Sequence, residues 1–235
     1  MTDPDLVARV AKALEEVRSR IASVGGDPAR VRVVAVTKGH PAAAVVAAAA
    51  AGLDDVGESY VQEMTAKVHA LEARASLEGM PEPPSVRWHF IGRLQRNKVR
   101  LVAPLVHLWQ SVDRLSLAGE IARRAPGAAV LVQVNVSGEP QQGGCPPERV
   151  AAVVEGCTDL GLEVRGLMAI GPIGAEPEVR AAFRTVRRLA DELSLPERSM
   201  GMSGDIEAAV AEGATMIRVG STLFGPRGEK VAVGK

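Results

Sequence analysis

An α/β fold with a parallel sheet is the fold class that the sequence predicts, and three observations support it. Segments rich in Val and Ile alternate with segments of helical spacing about eight times along the 235 residues. The apolar run at 33–36 is continuous rather than alternating, which is typical of strands covered on both faces. No change of composition marks a linker, so residues 1–235 are expected to form a single domain with an N-terminal helix.

The first half of the chain follows this alternation closely. Apolar residues at helical spacing predict the N-terminal helix at 5–24, and a Gly-Gly-Asp-Pro turn ends it. The elements predicted after it are a strand at 33–38, a helix at 41–51, a strand at 53–57, a helix at 60–75, a Pro-rich loop at 80–85, a strand at 86–91 and a helix at 97–102. Each helix follows a strand, as it does where helices join parallel strands.

The second half repeats the pattern and completes the count. Its predicted elements are strands at 105–111, 129–136, 164–170 and 216–219, a short strand ending at 200–202, and helices at 115–124, 147–160, 178–193 and 206–212, with a loop at 137–147. About eight strand–helix units in a chain of this length predict a single (β/α)8 TIM barrel. The alternative is an open doubly wound sheet, but no G-x-G-x-x-G motif follows the first strand to indicate dinucleotide binding.

Composition excludes several classes of function. Lys and Arg together equal Asp and Glu together at 28 each, so no general positive field favours nucleic acid. The two cysteines form neither a disulfide framework nor a paired metal motif, and none of the four histidines has zinc spacing. The longest apolar stretch, 42–53, is too short to span a bilayer, and the first residues lack the pattern of a signal peptide. A cytoplasmic protein without membrane or nucleic-acid partners is expected.

Lys38 is the most informative single residue. It closes the buried strand predicted at 33–38, and ligands of α/β barrels bind at the carboxyl ends of the strands. Lysine is rarely buried unless it is paired or reactive, and a desolvated amine can form a Schiff base with a carbonyl compound. The alternative is that Lys38 only begins a loop and points to water.

The end of the chain supplies a second signal. Two loops that follow strands, around Ser203 and around Gly220 and Ser221, offer hydroxyls and backbone N–H groups where barrels commonly bind phosphate. Arg218 lies at the end of the last strand, where its donor-only guanidinium would keep a pyridine nitrogen unprotonated. The alternatives are ordinary capping by the two serines and a surface ion pair of Arg218 with Glu207 or Glu212.

Three further features receive structural interpretations. His89 is expected to be a hydrogen-bonded core histidine, although it could approach the barrel mouth. The basic segment 93–100 could attract a phosphorylated ligand or an acidic partner, but a solvated helix face is favoured. Glu58 is expected to support its neighbours through hydrogen bonds rather than to act as a catalyst.

Taken together, the motifs resemble those of a known family. They are Ala35–Lys38, Gly57–Glu63, Trp88–Gly92, Leu94–Lys98, Arg165–Ile170, Gly201–Asp205 and Arg218–Gly220. In this order, and over nearly the whole chain, they resemble the pyridoxal phosphate homeostasis protein family, whose barrel is similar to the N-terminal domain of alanine racemase.

The resemblance implies a fold-type III barrel that holds pyridoxal 5′-phosphate (PLP). It implies an internal aldimine at Lys38, a pyridine nitrogen facing Arg218, and Ser59 and Met168 near the ring. It further implies that Ser203, Gly220 and Ser221 hold the phosphate. The expected protein is a monomer that manages the supply of the cofactor, with apo PLP enzymes as further candidate partners.

The sequence departs from the family pattern at four places. Ser59 replaces a usual Asn, Gly39-His40 replaces a usual Thr-Lys, Gln142 replaces a usual Lys, and Ser221 replaces a usual Thr. The first three substitutions leave the corresponding side-chain contacts without an assigned residue, whereas Ser221 keeps the hydroxyl.

Homeostasis without established catalytic turnover is the preferred function. A racemase needs proton donors on both faces of the substrate carbanion, and Tyr60 is the only tyrosine of the chain. The alternatives are an amino-acid racemase or related PLP-dependent enzyme, a cofactor-free Schiff-base aldolase, and a partner-binding module that uses the cofactor as a signal.

Overall fold

The structure, a computed structural model, describes residues 3–76, 82–139 and 142–226. Its eight strands pair in chain order as a closed parallel barrel, and the first strand also pairs with the last. The strands are β1 Arg32–Val36, β2 Asp55–Glu58, β3 Arg87–Phe90, β4 Val106–Val112, β5 Ala129–Val134, β6 Glu163–Ala169, β7 Glu197–Ser199 and β8 Met216–Val219. The predicted (β/α)8 barrel is therefore confirmed, and the open-sheet alternative is wrong.

Helices surround the barrel between successive strands. They are α1 Pro4–Ser23, α2 Ala42–Ala50, α3 Val61–Ala75, α4 Val99–Val102, α5 Leu115–Arg124, α6 Val150–Asp159, α7 Glu176–Glu192, α8 Ile206–Ala211 and α9 Ser221–Phe224. Single 3₁₀ turns, Arg96–Lys98 and Pro147–Arg149, precede α4 and α6. None of the helices within the described ranges is long and apolar enough to cross a membrane.

The N-terminal helix α1 forms where the apolar spacing predicted it. The Asp3 carboxylate accepts hydrogen bonds from the backbone N–H groups of Asp5 and Leu6, so it satisfies two donors at the helix start. The buried residues of α1 recur at helical spacing and are Val10, Leu14, Val17 and Ile21. This face packs against α2, α8 and α9, which places α1 beside the loops that follow β7 and β8.

The core has two layers, as the geometry of a closed barrel requires. A large apolar cluster fills the space between the strands and the helices. A smaller cluster lies inside the barrel and consists of Val34, Leu108, Ala129, Leu131, Met168 and Met216. Because successive side chains of a strand point to opposite faces, strands such as β4 and β5 contribute residues to both clusters.

The predicted boundaries differ from the observed ones mainly at strand ends. Strand β1 ends at Val36, and Lys38 lies in the turn that follows it. Strand β7 ends at Ser199, before the predicted 200–202. Helix α7 begins two residues before the predicted 178 because Ala175 and Glu178 form its N-terminal cap. Parts of the loops predicted at 80–85 and 137–147 lie outside the described residues.

Candidate functional site

A cavity of about 320 Å³ opens at the carboxyl ends of the strands. Six of the seven residues that the sequence predicted for a cofactor site line it: Lys38, Ser59, Ser203, Arg218, Gly220 and Ser221. The apolar part of the lining is formed by Val36, Ile91, Ile170 and Met202. A concave, largely apolar pocket with a few convergent polar groups is the usual form of a small-molecule site.

The turn that carries Lys38 is held by helix α3. Gly39 has a φ of 77°, a conformation that glycine adopts without strain. The backbone N–H of Gly39 donates to Glu63 Oε2 over 2.7 Å, and Lys67 Nζ donates to the carbonyl oxygen of Thr37 over 2.6 Å. These two contacts fix the backbone on either side of Lys38. Lys38 itself is partly buried at the cavity, so the alternative of a lysine that points only to water is not supported.

A buried ion pair lies directly beneath this turn. Lys67 pairs with Glu58, whose Oε1 also accepts a 2.7 Å hydrogen bond from the Thr37 hydroxyl. Burial raises the pKa of the Glu58 carboxyl, and the Lys67 ammonium and the Thr37 hydroxyl oppose this rise. The other carboxylate oxygen, Oε2, has no hydrogen-bond partner among the described residues. Glu58 therefore supports the turn, as predicted.

Arg218 presents a buried guanidinium to the cavity. Its side chain donates from Nη1 to the carbonyl oxygen and hydroxyl of Ser199, over 2.8 and 2.7 Å, and from Nη2 to the Ala169 carbonyl over 2.8 Å. Within the described chain none of its hydrogen-bond partners is a carboxylate. Burial lowers the pKa of Arg218 to about 10, so the group is still a cation at neutral pH.

The alternative of a surface ion pair at Arg218 is wrong. Arg218 is only 4% exposed, and both proposed partners are occupied elsewhere. Glu207 forms a bidentate pair with Arg20 of α1, whereas Glu212 pairs with Arg180 and Arg184 of α7.

The loops after β7 and β8 meet at one side of the cavity, as the sequence predicted. Ser203 Oγ accepts from the backbone N–H of Thr222 over 3.3 Å, which joins the two loops. Arg20 donates to the Ser203 carbonyl over 2.9 Å and so anchors the first loop to α1. The backbone N–H groups of Ser203, Gly204 and Ser221 make no hydrogen bond to another described residue. These N–H groups are available to an anion.

Gly220 keeps the second loop close to strand β1. A Cβ atom at this position would lie 3.1 Å from the Val36 carbonyl oxygen and 3.3 Å from Val36 Cβ. The absence of a side chain therefore permits the close approach of the β8 loop to the strand that precedes Lys38.

Met168 does not line the cavity. Its side chain is fully buried in the cluster inside the barrel, and Ile170, two residues further along the same face, lines the cavity instead. The period of two along β6 places Met168 one layer deeper than the resemblance implied. His40, Ile91 and Gly204 also line the cavity and were not predicted. His40 was noted only as a departure from the family, and its position two residues after Lys38 was the available signal.

The other candidate residues have structural positions. His89 is fully buried and hydrogen-bonded to Asp55 and Gln110, which confirms a core histidine. The basic segment 93–100 is largely exposed and packs only Leu94 and Val99 into the core, in agreement with a solvated face. Among the described residues no group of His, Cys, Asp and Glu side chains could hold a metal ion.

Comparison with known proteins supports the resemblance. Residues 8–228 match the family model for the alanine racemase N-terminal domain. A pyridoxal phosphate homeostasis protein of Pseudomonas aeruginosa is 43% identical over 230 residues, covering 94% of this chain and 96% of the relative. One of Aquifex aeolicus is 38% identical and covers 93% of this chain and 97% of the relative.

Solved structures agree with this assignment. The structure of PipY from Synechococcus elongatus PCC7942 with PLP bound has a TM-score of 0.78 at 37% identity, and that without PLP has a TM-score of 0.80 at 38% identity. Each comparison covers 92% of this chain and 100% of PipY. The chain therefore belongs to the pyridoxal phosphate homeostasis protein family, whose barrel has the fold of the alanine racemase N-terminal domain.

Proposed function

We propose that this protein binds PLP in the cavity at the barrel mouth and serves vitamin B6 homeostasis in the cell. The observation that carries the proposal is the convergence of the Lys38 amine, the Arg218 guanidinium and two loops with unpaired N–H groups on one cavity of about 320 Å³. An amine, a guanidinium and anion-binding N–H groups complement three functional groups of PLP, which are the aldehyde, the ring nitrogen and the phosphate. The names of the relatives and the PLP-bound PipY structure point to the same ligand.

Lys38 is the residue that would hold the aldehyde. Its amine would add to the aldehyde carbon, and loss of water would leave a C=N bond, a Schiff base. The contacts of Thr37 and Gly39 with α3 restrict the backbone of the turn, so the amine is presented from a fixed position. The Lys38 side chain is partly buried and lines the cavity, so the amine lies where a bound aldehyde could reach it.

Arg218 would face the ring nitrogen. A guanidinium offers hydrogen-bond donors only, so a ring nitrogen opposite it accepts a hydrogen bond and remains unprotonated. An unprotonated pyridine is a weaker electron sink than a pyridinium. Arg218 therefore favours retention of the cofactor over strong activation of an amino acid, which is consistent with a role in supply rather than turnover.

The phosphate would lie between the loops after β7 and β8. The N–H groups of Ser203, Gly204 and Ser221 and the serine hydroxyls form a set of donors without an acidic side chain in the cavity lining. The close contact of Gly220 with Val36 brings these donors next to the Lys38 turn. Ser59 lines the cavity at the end of β2 and would contact the ring or its substituents.

The cellular side of the proposal is a monomeric cytoplasmic protein that exchanges cofactor with apo PLP enzymes. The two cysteines, Cys145 and Cys157, are both buried and unpaired, as is usual in a reducing compartment. Burial raises the pKa of each thiol to about 11, so neither is a reactive thiolate at neutral pH.

Absorption spectroscopy of the purified protein tests this function. Addition of PLP to the wild type is expected to produce a visible band, and reduction with borohydride is expected to add one pyridoxyl group at Lys38 in the intact-mass and peptide spectra. Lys38→Ala should show neither change, whereas Lys12→Ala, which removes an exposed lysine of α1, should match the wild type. A wild type that stays colourless in excess PLP, or a reduced adduct on another lysine, contradicts the proposal.

A further inference from the structure

A continuous chain of buried polar side chains crosses the interior of the barrel and ends at Arg218. Asp55 Oδ1 lies 2.8 Å from His89 Nε2, and His89 Nδ1 lies 2.6 Å from Gln110 Nε2. Gln110 Oε1 lies 2.7 Å from Ser199 Oγ, which in turn lies 2.7 Å from Arg218 Nη1. The five residues come from β2, β3, β4, β7 and β8, and each is at most 5% exposed. This series of hydrogen-bonded side chains is thus sequestered from solvent along its length.

The Asp55 end of the chain fixes the direction of its hydrogen bonds. Burial opposes ionisation of Asp55, but hydrogen bonds from Arg87 and His89 hold the pKa of its carboxyl well below the usual range. A carboxylate only accepts, so His89 Nε2 must carry a proton and donate. The other nitrogen, Nδ1, faces the amide nitrogen of Gln110, which can only donate, so Nδ1 is the acceptor of this contact.

The Arg218 end requires the same direction. A guanidinium only donates, so Ser199 Oγ accepts from Arg218 and must place its own proton on another acceptor. That acceptor is Gln110 Oε1, which orients the amide nitrogen toward His89 and its second hydrogen toward Met216 Sδ. Both ends therefore select one tautomer of His89 and one orientation of Gln110, although they are separated by three side chains.

We propose that Asp55, His89, Gln110 and Ser199 are positioning residues for Arg218. Arg218 is a buried cation whose direct partners are two carbonyls and one hydroxyl, so its orientation depends on those neutral groups. The hydrogen-bonded side chains fix the direction of the Ser199 hydroxyl. They also align their own dipoles with the Asp55 carboxylate at the other end of the network. It thereby keeps the remaining N–H groups of Arg218 directed to the cavity, where, on the proposed function, they meet the ring nitrogen of PLP.

Nitrogen-15 NMR of histidine in the cofactor-free wild type tests the assigned direction of these hydrogen bonds without any substitution. Because Nε2 donates to Asp55 and Nδ1 accepts from Gln110, His89 is expected to show a pyrrole-like Nε2 and a pyridine-like Nδ1. A Gln110→Glu variant should convert both nitrogens to the protonated, pyrrole-like type, because a carboxylate at position 110 accepts from Nδ1 and stabilises an imidazolium. A protonated Nδ1 in the wild type would overturn the assigned direction and with it the proposal.

Cofactor binding tests the effect on Arg218. Gln110→Met and Ser199→Ala are each expected to weaken PLP affinity about tenfold, the scale of a hydrogen bond to a charged group, and to shift the visible band. Gln133→Met is the matched control, since Gln133 is also a buried barrel glutamine but its amide contacts the Gln142 carbonyl instead. Equal affinities for Gln110→Met and Gln133→Met would overturn the positioning role.

The two measurements separate this inference from the proposed function. If the His89 signals are as expected and the folded wild type binds no PLP, the cofactor assignment fails while the hydrogen-bond chain stands. If PLP binds with a band that is the same in all variants, the proposed function stands and the positioning role is overturned. Circular dichroism of each variant establishes that a lost signal does not arise from unfolding.

Discussion

The ammonium of Lys67 donates a 2.6 Å hydrogen bond to the carbonyl oxygen of Thr37, the residue immediately before Lys38. Lys67 lies on helix α3 and is itself 5% exposed, so a helix outside the barrel reaches under the turn that carries the candidate Schiff-base lysine. Its charge is balanced by Glu58, and both groups contact Thr37. The position of Lys38 thus depends on a buried ion pair whose two residues, Glu58 and Lys67, do not themselves line the cavity.

Lys67→Met is expected to destabilise the protein by about 3–5 kcal/mol, because it leaves the Glu58 carboxylate buried without its cation. Urea unfolding followed by circular dichroism measures the loss. The Glu58→Gln/Lys67→Met double variant removes both charges and retains an acceptor for the Thr37 hydroxyl. We expect it to be more stable than Lys67→Met alone; a double variant that loses the sum of the two single effects would show that the two groups are not coupled.

The sequence allowed Lys38 to be assigned to the site because that assignment needs only local information. A continuous apolar run followed by a lysine indicates a strand end, and the common fold places strand ends at the ligand. Lys67 could not be assigned in this way, because on an amphipathic helix it resembles any surface lysine. Nor could the contacts of Gln110 be inferred, since they depend on the register of strands separated by about a hundred residues of chain. Met168 was placed too near the cavity because the family motif specifies the strand but not the layer.

Gly220→Ala is expected to weaken PLP binding and to cost about 1–3 kcal/mol of stability, because its Cβ would meet the Val36 carbonyl oxygen at 3.1 Å. Isothermal titration and thermal melts measure the two effects. Gly119→Ala is the control: Gly119 lies within α5 and the new Cβ would point into open space, so the variant should keep PLP affinity and raise stability by roughly 0.5–1 kcal/mol. An unchanged PLP affinity in Gly220→Ala would show that the β8 loop is not part of the cofactor site.

Asp55 is expected to give the protein an acid-sensitive component of stability. Its carboxyl has a lower pKa in the folded chain than the unfolded value of about 3.9, so its contribution is complete above about pH 5 and declines as the pH falls. Asp55→Asn should lose roughly 2 kcal/mol at pH 7 and show a flatter stability curve between pH 5 and 3 than the wild type. Asp54→Asn, at the exposed neighbouring position, is the control for charge alone. Parallel curves for Asp55→Asn and the wild type would contradict this account.

The unpaired N–H groups of the β7 and β8 loops predict that the phosphate contributes strongly to affinity. Pyridoxal, which has the aldehyde but lacks the phosphate, is expected to bind at least about tenfold more weakly than PLP, and inorganic phosphate should compete with PLP. Ser203→Ala should reduce the preference for PLP over pyridoxal, because it removes a hydroxyl and the acceptor for Thr222 N–H. Equal binding of pyridoxal and PLP by the wild type would place the phosphate elsewhere.

The position of Tyr60 argues against efficient racemisation. Proton exchange at an amino-acid Cα on both faces needs two donors, and Tyr60 is 51% exposed in a groove beside the cavity rather than in its lining. His40 also lines the cavity and carries an imidazole, the side chain most often used for proton transfer in enzymes; its ring centroid lies 5.3 Å from that of Phe224. We expect PLP-loaded protein to exchange the Cα proton of L-alanine in D₂O no faster than free PLP does, and Tyr60→Phe to leave the rate unchanged. Exchange that exceeds this rate and disappears in both Lys38→Ala and His40→Asn would identify those two residues as the opposing donors and would establish an enzyme.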